Sequence, residues 1–120
     1  MSATMMGNIG NEQIDLAQHI YNRALASSID PTKFLLLINC ESRISFAHGD
    51  YRSETDTYMA HGPAQWWRSS WDKYSKLYNF HGDYWNSYDQ ITLAAMVIGG
   101  EKNGWKNWLN CAKKIGWIKS

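Results

Sequence analysis

Charge of either sign is scarce and nearly balanced in this chain of 120 residues. It has 12 Lys and Arg against 11 Asp and Glu, a formal net charge of +1. Without a basic excess it lacks the electrostatic footprint that grips a phosphate backbone, which argues against a nucleic-acid-binding module. Long apolar runs are lacking too. The longest, Phe34 to Ile38 and Leu93 to Ile98, fall far short of the ~20 residues that span a bilayer. The first ten residues, MSATMMGNIG, hold no Lys or Arg and no apolar stretch, so they do not read as a secretory leader. The expectation is either another export route or a piece of a larger exported protein. No metal-binding pattern is present. The two Cys do not cluster, and none of His19, His48, His61 and His81 pairs with a carboxylate at ligand spacing on a helix. No metal or other cofactor is expected. Gly99-Gly100 follows a helical pattern rather than opening one, the wrong context for a phosphate loop. Internal repeats and low-complexity stretches are missing as well.

Aromatic residues, by contrast, are abundant: seven Trp, seven Tyr and three Phe, 14% of the chain. A chain of this length and 44% hydrophobic content supports one domain with a real core. Seven Trp exceed what such a core requires. Trp and Tyr combine a flat apolar face with a polar edge, so the excess points to a binding surface, set against the plainer reading of a Trp-heavy core.

The pattern along the chain predicts a mainly α domain. Residues 1–10 read as a loose arm and residues 11–120 as the domain. Asn11 is positioned to cap a first helix, with Glu12 and Asp15 suiting its positive end and Ile14, Ala17, Tyr21, Ala24 and Leu25 recurring at helical spacing. Asp30-Pro31 opens a second helix, and the apolar run after it predicts a central, buried element. Residues 45–62 break the pattern, with two Gly, three acids, two His and two Tyr. Loops of that length are often functional. At most a small β-hairpin is expected between residues 44 and 66. Ser69 or Ser70 is a candidate cap for a helix through Trp71, Tyr74, Leu77 and Tyr78. Ser87 and Gln90 read as a capping box ahead of a helix stopped by Gly99-Gly100. A last helix over 104–114 would share Trp105, Trp108, Leu109 and Ala112 on one face.

Glu41 is the most informative residue. Its helical neighbours at i−3, i−4 and i−7 are Ile38, Leu37 and Phe34, all apolar. A carboxyl on such a face loses hydration in its charged form, so its pKa rises. A carboxyl protonated near neutral pH is suited to general acid catalysis, for which glycoside cleavage is a common use. The alternative is a Glu at a helix end that turns out into solvent. Cys40 and Cys111 are either a bridge or two buried thiols.

Cys40-Glu41-Ser42 at the end of an apolar helix resembles the Glu-Ser motif of lytic transglycosylases and goose-type lysozymes. It resembles still more the Cys-Glu-Ser triplet of resuscitation-promoting factors. Gly62-Pro63-Ala64-Gln65-Trp66 is similar to the G-x-x-Q-aromatic segment of these proteins, and Trp105, Trp108 and Cys111 to their C-terminal W…W…C element. The pieces occur in the family's order over residues 31–116. The resemblance implies a lysozyme-like fold, a Cys40–Cys111 disulfide, and cleavage of the β-1,4 bond between N-acetylmuramic acid and N-acetylglucosamine in peptidoglycan. It implies Glu41 as acid or acid/base, Ser42 supporting it or touching sugar, and Gln65 positioning substrate.

Gln65, Trp66 or Trp67, and Tyr58 from the long loop are expected to line the sugar groove, where aromatic faces pack on pyranose rings. A hydrolase would need a second carboxylate roughly 5–9.5 Å from the acid, for which Asp50, Glu54 and Asp56 are candidates. A lytic transglycosylase needs none, because the substrate's own C6 hydroxyl attacks C1 and leaves a 1,6-anhydro sugar. Three loop acids are only modestly above chance, and Asp50 after Gly49 and Asp56 between two Thr have ordinary turn explanations, which favours the transglycosylase. The expected partner is the peptidoglycan glycan strand, bound by a monomer outside the cell or in the wall, as a phage-borne or specially exported lysin would be. The competing readings are a non-enzymatic carbohydrate-binding module and an interaction domain with its aromatics at an interface. Neither requires a carboxylate on an apolar helix face.

Overall fold

A computed structural model describes residues 3–44 and 60–117, with side chains from residue 14 onward. Asp50, Glu54, Asp56 and Tyr58 therefore lie outside the described residues. Among the described residues are five α-helices: α1 (Ala3–Ala26), α2 (Pro31–Ser42), α3 (Arg68–Leu77), α4 (Ser87–Gly100) and α5 (Leu109–Lys114). A 3₁₀ helix, Gly104–Trp108, leads into α5. The strands β1 (Ala60–His61) and β2 (Trp66–Trp67) pair antiparallel, Ala60 opposite Trp67 and His61 opposite Trp66. The molecule is mainly helical with a small hairpin, as the sequence predicts. No described helix is long and apolar enough to cross a membrane.

The second helix starts as its sequence dictates. Asp30 Oδ1 accepts hydrogen bonds from the N–H groups of Thr32 and Lys33 at 2.9 and 3.2 Å, and Pro31 occupies the first helical position, where no donor is lost. Several other expectations need correction. Helix α1 begins at Ala3, so the residues read as an arm are helical from there and Asn11 is internal rather than a cap. Its buried stripe is Leu16, Ile20 and Ala24, whereas Ile14, Tyr21 and Leu25 are exposed. Both sets have helical spacing. Packing of α1 against α2 and α4 decides which one turns inward.

The central helix is α4 rather than α2. It buries Ile91, Leu93, Ala94, Ala95, Val97 and Ile98, while α2 buries Phe34, Leu37 and Ile38 and leaves Leu36 exposed. The α4 cap is Asn86, whose side chain accepts from the Asp89 N–H at 2.9 Å, so Ser87 and Gln90 form no capping box. Neither Ser69 nor Ser70 caps α3, because β2 runs straight into that helix through Trp67. The last helix is broken in two. Its 3₁₀ turn presses Gly104 so close to α4 that a Cβ there would overlap the Val97 carbonyl. Trp108 and Ala112 are buried, Trp105 is partly buried and Leu109 is exposed.

Cys40 and Cys111 are bridged, with Cα atoms 5.7 Å apart and a sequence separation of 71. The bond ties the end of α2 to α5, and those helices also pack together. Closing a loop of this length restricts the unfolded chain and is worth about 4 kcal/mol in the chain-entropy account. Intact mass without reductant is expected to show no alkylatable thiol. Denaturant unfolding with and without reductant is expected to differ by that amount. Equal midpoints in the two conditions would exclude a stabilising bridge.

Candidate active site

The turn between the strands is built around a buried amide. Gln90, fully buried in α4, accepts from the Ala64 N–H at 3.3 Å and donates to the Tyr84 carbonyl at 2.8 Å. Gly62 lies against this amide at φ +77, and a Cβ there would overlap it. No other residue type suits both demands. The Trp66 indole N–H donates to the Gln90 carbonyl at 3.0 Å, and the Trp108 indole N–H to the Ala64 carbonyl at 2.6 Å. Tyr84 donates its hydroxyl to the Trp66 carbonyl at 2.5 Å and lies 3.0 Å from Nδ1 of buried His61. The turn is thus fixed from two sides, by α4 and by the 3₁₀ helix.

Gln65 is presented by this turn in the left-handed region, φ +53. A side chain adopts that conformation only where its surroundings enforce it, and such residues cluster at functional sites. Its side-chain N–H donates to the Gly62 carbonyl at 2.7 Å, which orients the amide. Trp67, the next residue but one, is 47% exposed. Trp66 is a correction. It is 2% exposed, with its ring edge-on to Trp71 and Trp108 and its N–H committed inside the protein. It has no face to offer a sugar, and of the two Trp only Trp67 does.

At the other end of the frame, Glu41 occupies the last turn of α2 and is half-buried. Burial strips water from its charged form and pushes its carboxyl up to about 7, against a smaller opposing pull from the Lys114 ammonium. Ser42 follows, its hydroxyl donating to the Ile38 carbonyl at 3.3 Å. The helix stops there: Arg43 and Ile44 both take left-handed backbone, φ +57 and +53. For β-branched Ile44 this is a costly conformation.

A path of covalent and hydrogen bonds connects Glu41 with Gln65. From Glu41 the chain passes to Cys40, across the disulfide to Cys111, one helical turn back to Trp108, and through the indole hydrogen bond to the Ala64 carbonyl, next to Gln65. Sequence reasoning missed Gln90, Tyr84 and the internal role of Trp108. The available signal was a Gln beside the apolar run of α4, which a capping rule explained too readily. Among the described residues, no cluster of His, Cys, Asp and Glu could hold a metal ion. Comparisons with protein families, curated proteins and solved structures find no match to this chain.

The raised Glu41 pKa makes stability fall with pH. The folded state holds the proton more tightly than the unfolded chain, so stability is fullest below the ordinary Glu value and declines as pH rises through about 7. After discounting for solvent screening of a half-exposed group, the loss is on the order of 1–2 kcal/mol. Glu41→Gln is expected to flatten this dependence and to be more stable than the parent at pH 8. Parallel stability-versus-pH curves from urea titrations would show that Glu41 is not desolvated.

Proposed function

We propose that this protein is a peptidoglycan-cleaving enzyme of the lysozyme-like superfamily. Its bond is the β-1,4 link between N-acetylmuramic acid and N-acetylglucosamine. The observation that carries the reading is the Glu41 carboxyl, held protonated close to neutral pH by an apolar helix end. The ordered Cys-Glu-Ser, G-x-x-Q-aromatic and W…W…C resemblance supports it, as does the framework linking Glu41 to Gln65.

In this reading Glu41 donates its proton to the glycosidic oxygen as the bond to C1 breaks. The resulting carboxylate then takes the proton of the C6 hydroxyl as that oxygen closes on C1, with the acetamido group assisting. The product is a 1,6-anhydromuramyl end, and no second protein carboxylate is required. Gln65 offers a donor and an acceptor to an acetamido group, and Trp67 offers a stacking face. Ser42 steadies the end of α2 beside the acid. The hydrolytic alternative would recruit Asp50 or Asp56 to activate water. The disulfide suits an oxidising compartment, outside the cell or in the wall.

Glu41→Gln keeps the side chain's shape but removes the proton donor, so lysis of purified peptidoglycan is expected to fall by ~10²–10⁴-fold while circular dichroism is unchanged. Near-parental lysis would overturn the assignment. Mass spectrometry of the parent digest is expected to show ends one water lighter than reducing-end muropeptides. Reducing ends alone, with activity lost in Asp50→Asn or Asp56→Asn, would make it a hydrolase.

The two adjacent Trp separate recognition from folding. Trp67→Ala is expected to weaken chitooligosaccharide binding at least several-fold with little change in melting temperature. Trp66→Ala is expected to cost about 3–5 kcal/mol of stability. Equal sugar affinity for Trp67→Ala and the parent, measured by calorimetry, would remove Trp67 from the groove.

A further inference from the structure

The disulfide delivers a second side chain to the acid. Cys111 is bonded to Cys40, the residue before Glu41, and Lys114 stands one helical turn beyond Cys111 on α5. The α2–α5 contact therefore holds a lysine at the same helix end as the carboxyl. That end is also the negative pole of the α2 dipole, which disfavours a carboxylate. The helices packed against α2 are α1 and α5. Lys114 pulls the Glu41 carboxyl towards its charged form. The other described charged side chains on these elements are Asp15, His19 and Arg23 of α1, Lys113 beside Lys114, and Lys33 and Arg43 on α2 and at its end.

We propose that Lys114, held against the end of α2 by the Cys40–Cys111 bridge, is a positioning residue that sets the upper pH limit of the Glu41 site. This rests on Glu41 being the proton donor of the proposed reaction. Burial alone would hold the proton more firmly still, and a proton held too firmly is a poor one to donate. A neighbouring ammonium favours the carboxylate that forms when the proton leaves. It acts through Glu41 and has no contact with the reacting atoms to make. Because Lys114 is solvent-exposed, salt screens it, whereas the desolvation of Glu41 is insensitive to salt.

The test is a carboxyl-carbon NMR titration of Glu41 in the full chain, alongside the pH profile of wall lysis. In the parent the midpoint is expected near 7. Lys114→Met is expected to move the midpoint, and with it the alkaline limb of lysis, to higher pH. Lys114→Arg is expected to restore both. Raising the ionic strength is expected to move the parent towards Lys114→Met and to leave that variant unchanged. A purely structural lysine would produce neither the salt response nor rescue by Arg. Coincident midpoints for the parent and Lys114→Met overturn the proposal, as does a lysis limb that stays put while the midpoint moves. A protein with no lysis but with the expected midpoint shifts would refute the peptidoglycan reading and leave the Lys114–Glu41 coupling standing.

Discussion

The buried amide of Gln90 is the contact on which the candidate site depends. One side chain in the central helix satisfies the Ala64 N–H and the Tyr84 carbonyl, and it fills the space that a Cβ on residue 62 would need. A buried polar group without partners costs roughly 1–3 kcal/mol, so a fully satisfied one imposes a single arrangement on whatever it touches. Here it touches the tight turn that presents Gln65. The left-handed backbone of Gln65 is tolerable because its neighbours are fixed independently, by α4 on one side and by the Trp108 hydrogen bond on the other.

The disulfide does the corresponding work for the end of α2. It clamps the C-terminal end of α2, the end that carries Glu41, to the short α5, which with only six residues has little helical stability of its own. Acid and turn are thus held from the same 3₁₀–α5 segment, through Trp108 to the turn and through Cys111 to the acid. Under the proposed function, where a proton must be placed within hydrogen-bond reach of a leaving oxygen, such shared support would be an advantage.

Features encoded locally were legible in the sequence. Asp30-Pro31 announces α2 because cap and first turn are adjacent in the chain, and Glu41 betrays itself by its apolar helical neighbours. What resisted reading depends on distant partners. The two apolar stripes of α1 are equivalent until α2 and α4 choose between them. Gln90 satisfies a helix-start pattern three residues after Ser87, yet its amide serves Ala64, 26 residues away. Trp66 and Trp67 have the same identity and adjacent positions, but strand alternation sends one into the core and the other out. The split of the last helix follows from the close approach of Gly104 to α4, a tertiary contact without a local signature.

The partition of the aromatics also gives the molecule an internal optical scale. Trp66, Trp71 and Trp108 are buried and edge-packed against one another or neighbouring rings, whereas Trp67 is open to water. Indoles shielded from solvent emit at shorter wavelengths than hydrated ones, and rings about 5–6 Å apart exchange excitation readily. The blue edge of the emission spectrum therefore reports the integrity of the core, and the red edge reports the hydration of Trp67 together with the partly exposed Trp85, Trp105 and Trp117. A molecule settling on Trp67 and a chain coming apart would leave opposite spectral marks: one removes red intensity, the other creates it.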